Sequence, residues 1–118
     1  MSNNLNLTSK ITPELLVKLN VPLQFYRVFF EEWPNGMEVV PANIERAIDI
    51  GLDMDLLAYK IFNNIEIHRK YIQDTEMAAV QYREFSEDRQ IKARARAIAF
   101  VMAYIATLSE IDRTNQKK

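Results

Sequence analysis

From Ile65 onward the apolar and small positions Ile65, His68, Ile72, Thr75, Ala79 and Tyr82 recur at alternating steps of three and four, the spacing of one helix face. A second periodic run lies further along the chain. Ile91, Ile98, Met102 and Ile105 fall near one face, with Val101, Tyr104, Leu108 and Ile111 beside it and alanines filling most of the remainder. Every proline and glycine precedes Leu52, so no strong helix breaker interrupts the chain from there to Lys118. Ser86 is the one break signal, which sets the last helix at Glu87 to about Ile111. Two helices folded into an antiparallel hairpin bury their apolar stripes; a single rod leaves them exposed unless it dimerises.

The N-terminal half is punctuated more densely. Thr12 as N-cap and Pro13 at the first helical position predict a short helix over 13–19, ended by Asn20 and the Val21-Pro22 step. A second helix is expected from Pro22 to Trp33, closed by the turn Pro34-Asn35-Gly36, with Met37 to Val40 extended and no second strand of similar quality in view. Pro41 opens a third helix that ends at Gly51, and Asp53 caps a fourth from Met54 to about Phe62. Asn63-Asn64 either interrupts or kinks the helical segment beyond it. The expected architecture is all-α: short N-terminal helices and a helix-turn-helix-like hairpin packed on a long C-terminal antiparallel helical hairpin. It forms one domain, 11–112, between flexible tails at 1–10 and 113–118.

The last helix is apolar almost all the way round. Such a helix is a central core element or meets a second copy of the chain, and both can hold together. Ile98, Val101, Met102, Ile105 and Leu108 are the expected interface of a homo-oligomer, a dimer first. A membrane span is excluded for Ala97–Ala106, since crossing needs about 20 apolar residues.

Aromatic residues concentrate in Phe25, Tyr26, Phe29, Phe30 and Trp33, five of the twelve in the chain. Phe25, Phe29 and Trp33 align at steps of four, and Tyr26 and Phe30 form an adjoining row. They anchor the helix to the core or present a partner-binding patch rimmed by Glu31 and Glu32.

The net charge of −1 hides an asymmetry: up to Glu66 the chain carries five basic and nine acidic residues, and beyond it ten and seven. That distribution suits docking of subunits or partners better than nucleic-acid binding, which usually needs a strongly basic domain. The best nucleic-acid feature is the face bearing Arg89, Lys92 and Arg96, with Arg94 nearby. Glu84, Glu87 and Asp88 directly upstream favour a solvated face, and a subunit contact with the acidic N-terminal half is a further option. The hairpin around Gly51 has helix-turn-helix spacing at Ala47, Gly51, Leu52 and Leu57. Its second helix opens with Asp53 and Asp55, which would face phosphates.

Candidate chemistry is sparse. The absence of cysteine excludes disulfides, thiolate catalysis and cysteine-ligated metals, and suits a reducing cytoplasm. Residues 1–6 have neither the basic nor the apolar region of a secretory signal. His68, the single histidine, lies in a helix seam between Ile65 and Ile72, where a polar-edge or hydrogen-bonded histidine is expected rather than a base. No phosphate loop or paired-glycine dinucleotide motif is present. No catalytic residue, metal site or cofactor is assigned.

The segment Phe29-Phe30-Glu31-Glu32-Trp33-Pro34-Asn35-Gly36, with Asn43-Ile44-Glu45-Arg46-Ala47 and 51–58, resembles small uncharacterised all-helical proteins of bacteriophages and bacterial mobile elements. The resemblance spans about 12–62 and implies no activity. It implies a small non-enzymatic protein that binds, and so inhibits or modulates, a host protein such as a defence component. The alternative is a helical nucleic-acid binder using the basic face.

Overall fold

A computed structural model describes residues 7–81 and 89–116, with side chains except those of 78, 79, 81, 89, 90 and 112–116. The described elements are β1 (Lys10–Ile11), α1 (Pro13–Lys18), α2 (Leu23–Glu32), β2 (Met37–Glu38), α3 (Pro41–Asp49), α4 (Met54–Ile61), α5 (Ile65–Gln81) and α6 (Arg89–Gln116). The fold is all-α, and α6 packs against both α3 and α5. The expected break at Ser86 and the helix start at Glu87 lie outside the described residues, as does Tyr82.

Local chemistry sets the helix ends. Thr12 Oγ1 accepts a hydrogen bond from the Leu15 amide at 3.1 Å, Asp53 Oδ1 from Leu56 at 3.1 Å, and Asn64 Oδ1 from Glu66 and Ile67 at 2.9 and 3.3 Å. Asn64 is therefore the cap of α5, not a kink. Both α1 and α3 close through a left-handed residue, Asn20 (φ 58°) and Gly51 (φ 91°). In each case the next amide reaches back to the helix, Val21 to Leu16 O and Leu52 to Ala47 O, satisfying a terminal carbonyl.

Two differences concern the chain ends. Met37–Glu38 does have a partner strand: Lys10 pairs with Glu38 and Ile11 with Met37, antiparallel, and the Val39 amide extends the pairing to Ser9 O. Ile11 and Met37 are sealed in the core, so the last residues of the expected 1–10 tail are held against the body. At the other end α6 continues helical to Gln116, through positions 113–116 expected as tail.

The core joins Ile11, Leu16, Phe29, Met37, Ile44, Leu57 and Ile61 to a run of rings. Phe62 lies 5.6 Å from Tyr71 and 5.1 Å from Phe100 between centroids, and Phe100 lies 6.4 Å from Tyr104. This aromatic run joins the end of α4 to α5 and α6. It also fixes which face of each long helix turns outward.

Candidate functional site

The five aromatic residues of α2 divide between core and surface. Phe25 and Phe29 are buried, and Trp33 is half-buried with its ring tilted on Phe29 at 5.3 Å. The adjoining row faces outward: Phe30 is 45% exposed and stacks on half-buried Tyr26 at 5.8 Å. Leu23, 64% exposed, continues that row at a step of three from Tyr26. The expected patch of five is thus a surface row of Leu23, Tyr26 and Phe30 backed by Phe25, Phe29 and Trp33. Leu23 was not singled out from the sequence, although its spacing from Tyr26 and Phe30 carries the signal. Of the two expected rim carboxylates, Glu31 is exposed, whereas Glu32 is committed to α3. Its carboxylate takes Arg46 Nε at 3.1 Å and Nη2 at 3.3 Å, and this hydrogen bond and charge raise the Arg46 pKa further above its ordinary value.

On α6 the five expected interface residues also separate. Ile98, Met102 and Ile105 are exposed, while Val101 is buried and Leu108 half-buried against the core. The outward face lies opposite Phe100, Tyr104 and Thr107. Beside it a groove of about 300 Å³ runs between α5 and α6, floored by Ala99, Met102, Ala103 and Ala106 and edged by Glu66, Lys70 and Asp74.

Two arginines of the basic segment are engaged within the fold. Arg94 is ion-paired with Glu45 on α3, and Arg96 Nη2 donates to Asp55 Oδ2 on α4 at 2.7 Å. Lys92 is half-buried, and the side chain of Arg89 lies outside the described set. The helix-turn-helix-like pair α3–α4 turns Met54, Leu57, Ala58 and Ile61 inward and leaves Asp53, Asp55 and Tyr59 outside. Four apolar residues of α4 therefore pack in the core, while Tyr59, 71% exposed, shares the outer surface with the two aspartates.

A wider recess of about 410 Å³ gathers the polar residues of α4, α5 and α6. Asp55 Oδ1 accepts the Tyr71 hydroxyl at 2.7 Å while Oδ2 holds Arg96. Burial first, then the hydrogen bond to Asp55 and its negative charge, push the Tyr71 phenol well above its ordinary pKa. Thr75 Oγ1 donates to Ile72 O at 2.9 Å, and His68 meets the ring of Tyr59 edge-on at 6.0 Å. Asp55, Tyr71 and Arg96 satisfy one another: Asp55 joins three elements, and the phenol is held protonated. Among the described residues no cluster of three His, Cys, Asp or Glu could hold a metal ion, and no helix is long and apolar enough to cross a membrane.

Comparison with protein-family models, curated proteins and solved structures finds no match to this chain.

Proposed function

We propose that this chain is a small non-enzymatic protein-interaction module that acts by occupying a partner's surface through the outward row of α2. The observation that carries this reading is the row Leu23, Tyr26 and Phe30, in which Leu23 and Phe30 are exposed and Tyr26 half-buried, on a helix whose Phe25 and Phe29 are buried. Exposed aromatic side chains on a rigid element supply large contact area at low entropic cost, the usual character of binding anchors. Core residues behind the row hold it in place, and Glu31 supplies a charged rim. The resemblance to small phage proteins supports a host protein as partner, met in the host cytoplasm and inhibited or modulated by occlusion. The basic face of α6 favours nucleic acid less, because Arg94 and Arg96 are held by Glu45 and Asp55.

The test is affinity capture from bacterial lysate, with and without nuclease, beside a Leu23→Ser, Phe30→Ser variant of unchanged helicity. One protein retained after nuclease and lost in the variant is the expected result. Recovery of nucleic acid alone, or a partner that the variant still holds, overturns the reading.

A further inference from the structure

On α6, Ile91, Ala95, Ile98, Met102, Ile105 and Ser109 succeed one another at steps of 4, 3, 4, 3 and 4. That is the repeat by which one straight helix packs along another. The large members are exposed, Ile91 39%, Ile98 44%, Met102 57% and Ile105 55%, and the line lies opposite the helix's core-facing side. At 1.5 Å per residue it extends about 27 Å, so its occupant is a helix of similar length. We infer that a second copy of α6 docks here, antiparallel, forming a two-fold dimer. The surface is separate from α2, and the inference does not rest on the proposed partner-binding role.

The line is complementary to itself in that orientation. With the two-fold axis midway between Ile98 and Met102, Ile98 meets the second copy's Met102. Small Ala95 meets Ile105, and Ile91 meets Ser109. Large side chains then face small ones at the outer positions, and the interaxial distance stays even along the line. Charge selects the same direction. Lys92 and Glu110 lie on the same flank of the line near its opposite ends, both half-buried. Antiparallel helices bring like flanks together, so Lys92 lies beside the second copy's Glu110, twice by symmetry. A parallel pair instead brings Lys92 to the opposite flank, beside the second copy's Arg94, which already holds Glu45, so Lys92 gains no counter-charge there. Exposed Ala106, on the floor of the α5–α6 groove, continues this surface. Mixed charge along the border also sets it apart from a membrane-binding helix, whose polar face is rich in Lys and Arg.

The experiment is sedimentation equilibrium on the full chain, with helicity read in parallel. A dimer is expected, and Ile98→Glu with Met102→Glu raises its dissociation constant at least a hundredfold at unchanged helicity. Should that pair disturb folding, Ile105→Lys gives the same reading at one exposed position. Lys92→Glu weakens the dimer, and adding Glu110→Lys restores it. Because the chain has no cysteine, direction is read by cross-linking: Ile91→Cys chains mixed with Ser109→Cys chains join, and Ser109→Cys chains alone do not. A monomer at several hundred micromolar overturns the inference, even if it binds lipid vesicles through this face. A dimer indifferent to the α6 substitutions overturns it, as do Ser109→Cys chains that join to themselves.

Discussion

Tyr104 donates its hydroxyl to the Thr8 carbonyl at 2.7 Å, across 96 positions of sequence, with the Lys10 carbonyl 3.5 Å away. One phenol on α6 therefore holds the strand entry of β1. Burial pushes the Tyr104 phenol up to about 12 and moves Tyr71 in the same direction. A raised phenol pKa favours the neutral, folded form, so its contribution is complete below the ordinary value near 10. It fades as pH rises from there through 12. Denaturant midpoints are expected to be level from pH 7 to about 9 and to fall above pH 10. Tyr104 supplies up to about 3 kcal/mol of that alkaline dependence. Tyr104→Phe is expected to cost about 1–2 kcal/mol at neutral pH, from the lost hydroxyl bond and the unsatisfied carbonyl, and to make the alkaline limb shallower, the share of Tyr71 remaining. A wild-type midpoint that stays level to pH 11.5 contradicts this account. None of this bond was visible in the sequence, where Tyr104 was one more apolar position and Thr8 part of a tail. A hydrogen bond between residues so far apart leaves no local spacing to read. The role of Asp53 was legible, because an N-cap acts within its own turn.

Two neighbouring residues of α2 give the sharpest contrast at the scale of an element. Phe29→Ala empties a site that is 1% exposed and packed under Trp33, and is expected to cost about 3–5 kcal/mol. Phe30→Ala removes an exposed ring whose main described contact is its stack on Tyr26, with an expected cost of about 0.5–1.5 kcal/mol. Urea unfolding of the two variants measures the difference; near-equal losses contradict the assignment of one row to the core and the other to the surface. The sequence separated the two rows by their spacing but took all five residues together, as core anchors or as a patch, since both rows are aromatic and only the packing of α2 divides them. The α6 surface was partly legible for a similar reason. Ile98, Met102 and Ile105 fall on one line, while Val101 and Leu108 lie about a quarter turn away, where the neighbouring helices cover them. The starts and stops of α1 to α4 were read closely because proline, glycine and capping side chains act within a few residues, whereas α6 runs past the expected Ile111 to Gln116. The β1–β2 pairing was missed because two residues in each strand are too few for an alternating pattern, and the partners lie on either side of α1 and α2.

At the scale of the whole molecule, the acidic first half and basic second half meet inside one chain. Glu45 of α3 holds Arg94, and Asp55 of α4 holds Arg96 together with the Tyr71 hydroxyl, so both ion pairs tie the N-terminal helices to α6. The asymmetry was plain in the sequence and pointed to docking of subunits or partners, whereas these two acidic groups lie on the same chain, a placement that depends on the path of α3 and α4 over α6. These contacts give the basic stripe a structural use that can be measured apart from any ligand. In a double-mutant cycle, Glu45→Ala and Arg94→Ala are expected to show a coupling energy of about 0.5–1 kcal/mol. The value is modest because the Arg94 side chain remains 60% exposed. Raising the salt to about 1 M should reduce that coupling by half or more, since the screening length falls to about 3 Å. Arg96→Ala is expected to cost more than Arg94→Ala, because it leaves Asp55 holding the buried Tyr71 phenol without its counter-charge. A cycle with no coupling at low salt, and arginine substitutions that leave stability unchanged, would detach the stripe from the fold and return it to the surface as a binding face.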